Sequence, residues 1–205
     1  MSKFFVLEGD NGSGKSTAAA ALGADGMYVV SNDPELKDAE TRAKNLRGRE
    51  RIRAFYAYNR QTANKALSYG ADCLVVRYWP STLAAAFADG FIDSDELIRQ
   101  CRDNLKTFPE PAVFIYLKCD HAERVRRLTV RDAPGERDDR SLSRAAKYQY
   151  AIGHMAFATP TPWTFLPGDF MKPLCVARRI LDLMGVFSSE PHDSLGLDDS
   201  FACNR

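Results

Sequence analysis

The chain has almost no net charge: 28 Lys and Arg stand against 27 Asp and Glu, a balance of +1 over 205 residues. So even a balance gives no long-range attraction to nucleic acid polymers or to a membrane surface, and any anion site must come from a local cluster. Histidine is scarce, with three residues, and the five cysteines are an odd number without metal-ligand spacing. Cys73 and Cys119 sit in or beside apolar runs, where a thiol is usually a small core residue, and this suits a reducing cytoplasm. No apolar run is long enough to span a membrane. The short apolar stretch between Met1 and Glu8 is too brief for a signal peptide, which predicts a cytoplasmic location. There is no internal repeat and no low-complexity tract.

What is present is ordinary globular material, 45% hydrophobic and 27% charged, enough to bury a full core. Five apolar segments read as strands, at 3–8, 27–31, 72–76, 112–118 and 163–167. The first, third and fourth are nearly continuous apolar runs, the pattern of strands covered on both faces in a parallel sheet. Helix-length stretches lie between and after them, at 15–23, 35–69, 81–106, 120–131, 141–157 and 171–187. Strand–helix alternation predicts a doubly wound α/β fold, with a parallel sheet of about five strands flanked by helices. Residues 131–141 read as an irregular, charged excursion and 188–205 as a polar tail, leaving 1–187 as the folded domain.

One motif carries chemistry outright. Residues 9–16 run Gly9-Asp10-Asn11-Gly12-Ser13-Gly14-Lys15-Ser16, followed by Thr17, and match G-x-x-x-x-G-K-[ST] between a predicted strand and a predicted helix. Glycines let successive N–H groups point at phosphate oxygens, and the new helix adds its N-terminal dipole. Lys15 is placed to reach the β- and γ-phosphates of a nucleotide such as ATP, and Ser16 to offer a hydroxyl to Mg²⁺. The motif predicts a P-loop NTPase fold in three layers.

Two further stretches make the chain resemble the thymidylate kinase family of nucleoside monophosphate kinases. One is Phe55-Tyr56-Ala57-Tyr58-Asn59-Arg60 and the other is residues 73–87, CLVVRYWPSTLAAAF. The resemblance covers about residues 1–187. It implies that Tyr56 stacks on the acceptor base, that Arg60 reads its polar groups, and that Arg77 and Ser81 face the acceptor. Read bottom-up, Tyr56 is equally well a core aromatic and Arg60 a solvated charge. Arg77 follows a strand directly and so lies at a carboxyl end, where ligands bind in open α/β sheets. Its planar fork of donors suits an anionic oxygen.

The resemblance also implies a lid over about 124–144, a region rich in arginine, with Arg127, Arg131 and Arg137 on the matching positions. Arginines there would stabilise the charge spread over the transferred phosphoryl group. Glu123 and Arg127 at i,i+4 spacing allow an ordinary helical ion pair instead. A homodimer is implied as well.

Three positions depart from the family pattern. Val76 stands where the family has aspartate, Asn11 where it has an acidic residue, and no arginine follows the second strand near Ser31. All three touch the acceptor side or its metal. They predict an intact donor half, binding ATP and Mg²⁺, and a rebuilt acceptor half that takes a nucleotide-like small molecule other than ordinary dTMP, or takes dTMP slowly. Glu35 and Asp33, just past the second strand, keep open a hydroxyl-phosphorylating enzyme such as a deoxynucleoside kinase, which needs a carboxylate base. A non-catalytic nucleotide-binding module is the third reading.

Overall fold

The computed structural model describes residues 2–131, 144–169 and 173–185. The first strand, β1 (Phe4–Gly9), is buried throughout and leads through the glycine-rich loop into α1 (Lys15–Ala24). After β2 (Tyr28–Val29), a short 3₁₀ turn (Val30–Asn32) leads into α2 (Pro34–Asn45) and α3 (Gly48–Ser68). Then follow β3 (Cys73–Val76), α4 (Trp79–Ala88) and α5 (Ser94–Thr107). The second half holds β4 (Val113–Lys118), α6 (His121–Arg131), α7 (Ala145–Ala158), β5 (Trp163–Pro167) and α8 (Pro173–Met184).

The strands form one sheet in the order β2-β3-β1-β4-β5, with every pairing parallel. The register sets Phe4 beside Cys73 and Phe5 beside Val113, so β1 is central and flanked by the other two apolar runs. Alternation along β1 divides the core, as a period of two requires. Phe4 and Val6 face one cluster, with Ala63, Leu83 and Met155 from α3, α4 and α7. Phe5 and Leu7 face the other, with Leu22 from α1 and Ile180 from α8. Each fully buried Leu or Ile contributes roughly 1.5–3 kcal/mol relative to exposure.

Two helical stretches of the sequence are each two helices. The stretch 35–69 breaks at Leu46–Arg47, before Gly48 at φ 58, and 81–106 breaks at Gly90 at φ 74. Asp33 opens α2, accepting from the Glu35 amide at 2.9 Å, with Pro34 at the first helical position. Asp93 opens α5 in the same way through the Glu96 amide. Cys73, Cys101 and Cys119 are buried free thiols. Among the described residues no helix is long and apolar enough to cross a membrane. The tail 188–205 and, within the arginine-rich segment, residues 132–143 lie outside the described residues.

Candidate nucleotide site

The turns at the carboxyl edge of the sheet open into a cleft of about 1260 Å³. Its floor is the glycine-rich loop. Gly9 holds φ 145, and a Cβ there would lie 2.7 Å from the Leu117 carbonyl oxygen, so only glycine lets β1 turn this close to β4. Gly14 at φ 94 caps α1 without a side-chain hydrogen bond, leaving the first N–H groups of the helix open to an anion. Lys15 is buried, and its ammonium donates to the carbonyls of Gly9, at 2.7 Å, and Asp10. Burial, and then the neighbouring Arg77, pull its pKa well below the ordinary lysine range, with Glu8 and Asp10 opposing. Ser16 and Thr17 are exposed at the mouth of the cleft.

Arginines of α6 hold this loop from the side. Arg124 is 1% exposed. Its Nε donates to the Asn11 carbonyl at 3.0 Å, and its guanidinium lies 3.2 Å from the Asp10 carboxylate. Gln149 of α7 also donates to Asp10, at 2.8 Å. Arg127 donates to Glu123 and, at 2.7 Å, to the Gly168 carbonyl after β5, and one of its nitrogens would be 3.3 Å from a Cβ at Gly14. Gly168 itself presses on the loop: a Cβ there would be 2.9 Å from the Ser13 carbonyl oxygen. Arg131 ends α6; its side chain, and Arg137 entirely, lie outside the described residues.

Among the described residues, Arg77 is the only non-glycine at positive φ, with φ 67. A left-handed conformation of a bulky residue costs of order 1–3 kcal/mol and persists where surroundings enforce it. The result is a guanidinium that donates to the Asn11 side-chain oxygen and lines the cleft beside the glycine-rich loop. Ser81, on α4, also lines the cleft; its hydroxyl donates to Glu8 and lies 2.9 Å from the Tyr148 hydroxyl.

The far end of the cleft is lined from the joint between α2 and α3. Lys44, Arg47, Arg51, Phe55 and Asn59 line it, with Val76 and Arg144 nearby. Arg51, Phe55 and Asn59 follow each other at i,i+4, one face of α3. Asn59 is buried and donates to the Thr82 hydroxyl at 2.9 Å. The acids lining this cleft each hold a cation: Asp10 with Arg124, Glu40 with Lys44 at 2.6 Å, Asp89 with Arg144 at 2.8 Å.

Tyr56, Arg60 and Glu35, expected on the acceptor side, do not line this cleft. Tyr56 packs against Phe108, with ring centroids 5.9 Å apart, and its hydroxyl accepts from Asn104 at 3.2 Å. Burial pushes its pKa up to about 12. It lines a neighbouring cavity of about 630 Å³. Arg60 lies over the Phe108 ring, 5.3 Å from its centroid. One step along a helix turns a side chain by roughly 100°, so Tyr56 and Arg60 look toward α5, while their predecessors Phe55 and Asn59 look into the cleft. Glu35 is exposed at the start of α2 and pairs with Lys65 at 2.7 Å. Lys44, Arg47, Arg51 and Phe55 line the cleft without being among the residues expected from the sequence; the i,i+4 spacing of Arg47 and Arg51 is the local signal for two of them. Arg124, expected in the lid, is instead a buried support of the loop.

A parallel sheet in this order, with a glycine-rich loop between central β1 and α1, is the P-loop NTPase fold. Solved structures share it. The thymidylate kinase from Candida albicans superposes with a TM-score of 0.65 at 17% identity, covering 90% of this chain and 92% of that one. The deoxyadenosine kinase from M. mycoides with bound dATP gives 0.61 at 12% identity, covering 89% and 99%. Residues 4–152 match the model of the AAA domain family; the chain belongs to that family. No curated protein sequence matches it closely enough to count as a relative.

Proposed function

We propose that this protein is a phosphotransferase that moves the γ-phosphate of ATP to a nucleoside monophosphate or a closely related nucleotide. One observation carries the reading. A single cleft joins a complete phosphate cradle, centred on Lys15, to a cationic and aromatic end formed by Lys44, Arg47, Arg51 and Phe55, with Arg77 between them. An acceptor that is itself phosphorylated needs cations and a ring surface, and both are supplied there. An acceptor hydroxyl would need an available carboxylate, whereas Asp33 is taken up by Tyr28, the Glu35 amide and Lys65, and Glu35 is turned to solvent.

In this mechanism the loop amides and Lys15 hold the triphosphate and bear the charge that grows on the transferred group. Arg77 orients an acceptor oxygen toward it, and Arg127 supports the loop from the donor side. Ser16 would hold Mg²⁺. A hydroxyl at the mouth of the loop fits a hard cation that keeps phosphate oxygens and waters as its other ligands. When bound, the ion would supply charge neutralisation to the triphosphate. Arg131 and Arg137 belong to the reading as lid arginines, and a cytoplasmic homodimer remains part of it.

The test is ADP release from Mg·ATP with dTMP, dUMP, dCMP, dGMP, GMP, CMP, thymidine and deoxycytidine in turn. Turnover of a monophosphate supports the proposal. Turnover of nucleosides only replaces it with a nucleoside kinase. ATP binding without turnover replaces it with a nucleotide-binding module.

A further inference from the structure

Arg77 needs something to hold it in a conformation that its own side chain disfavours, and the structure supplies it from the strand next door. Glu8, the penultimate residue of β1, is 0% exposed. One carboxylate oxygen accepts the Tyr78 amide at 2.9 Å, the N–H that follows the left-handed residue. The other accepts the Ser81 hydroxyl, which meets Tyr148 of α7. On its other side, the Arg77 amide donates to the Leu7 carbonyl at 3.0 Å. The turn at residue 77 is thus pinned on both flanks by β1, the strand that ends in the phosphate cradle.

A buried carboxylate is costly unless it is paired and hydrogen-bonded. Glu8 has two donors and lies in the fields of Arg77 and Lys15, two cations that otherwise repel each other. Burial raises its pKa, while Ser81, Arg77, the Tyr78 amide and Lys15 all pull it down.

We propose that Glu8 is a positioning residue: it fixes the left-handed turn at Arg77, through the Tyr78 amide and Ser81, so that the guanidinium stands against Asn11 at the junction of donor and acceptor. Glu8 is buried behind the cleft and does not line it. Its importance to transfer rests on the reading of Arg77 as the acceptor's ligand, whereas its hold on the turn does not.

The experiment has two arms and uses the full chain. In the first, hydrogen exchange is followed at the Tyr78 amide in wild type, E8Q and E8A, without any nucleotide. Glutamine can still accept from Tyr78 and donate to Ser81, so E8Q keeps the amide protected, and E8A exchanges it at least ~10-fold faster than amides elsewhere in β3 and β1. Equal protection in E8A overturns the proposal. In the second arm, phosphoryl transfer to the best monophosphate of the panel is measured for E8A, R77A and the double variant. If Glu8 acts through Arg77, E8A lowers kcat/KM for the acceptor ~10-fold or more with KM for ATP within ~3-fold, E8Q restores most of it, and E8A adds nothing in the R77A background. Additive losses, or an equal rise in KM for ATP, overturn it. Should no monophosphate be turned over by wild type, the proposed function fails, and the exchange arm still decides whether Glu8 holds the turn.

Discussion

Arg124 and Asp10 form a buried ion pair, 3.2 Å apart at 1% and 5% exposure, between the lateral helix α6 and the second residue of the phosphate loop. Removing one partner of such a pair leaves an uncompensated charge in the interior, typically at a cost of 3–5 kcal/mol. Arg124→Met, which retains much of the apolar stem, is expected to destabilise the protein by about that amount, read as a lower urea midpoint. Adding Asp10→Asn should recover part of the loss. A midpoint unchanged by Arg124→Met would show that Gln149 alone satisfies Asp10.

Lys15 behaves in the opposite sense. Burial disfavours its charge, and under the proposed function Lys15 serves the ligand rather than the fold. Lys15→Ala should lower kcat by more than about a hundredfold, as the loss of one preorganised cation does, while the melting temperature stays level or rises. Activity within tenfold of wild type would remove the cradle assignment.

The faces of α3 give a paired prediction. Phe55→Ala should raise KM for the acceptor by about tenfold or more, since Phe55 lines the cleft. Tyr56→Ala should leave that KM within about twofold and lower stability by a few kcal/mol through the packing lost against Phe108. Glu35→Gln should leave kcat within about twofold. The reverse pattern in steady-state kinetics would return the acceptor to the α5 side of the helix.

Glu123 sets a pH dependence. Arg126, and then Arg127, hydrogen-bond its carboxylate and lower its pKa from 4.5 to about 2. A depressed carboxylate stabilises the folded state fully above its unfolded pKa and loses that contribution as pH falls through the folded value. The stability gap between wild type and Glu123→Gln is therefore expected to be constant above about pH 5 and to narrow between pH 4.5 and 2. A gap that does not change over that window would mean the ion pairs contribute nothing.

Local signals carried the sheet. Continuous apolar runs such as Phe4–Leu7 and Val113–Leu117 mark strands buried on both faces, and the parallel sheet of five strands follows them closely. The loop from Gly9 to Ser16 was legible because its glycine spacing is itself a conformational requirement. Helix breaks were harder: Gly48 and Gly90 sit in polar or small-residue contexts that do not stop a helical pattern. The Phe55–Tyr56 choice was beyond local reading, because two adjacent aromatics differ only by a rotation that distant Phe108 decides. Arg124 was hidden for a similar reason: in an arginine-rich helix, which guanidinium is buried depends on where Asp10 lies, 114 residues earlier in the chain.

Gly168 has a consequence for how the protein becomes competent. It follows the last strand, yet it presses on Ser13 and receives Arg127, so the phosphate loop is walled by residues from both ends of the chain. Contacts of such sequence separation form late, after shorter-range structure has closed the intervening chain. A nascent chain that has folded through residue 152 carries the whole family-matched region but not this wall. Nucleotide affinity should therefore arrive only with β5, as a property of the completed sheet rather than of the loop that bears the motif.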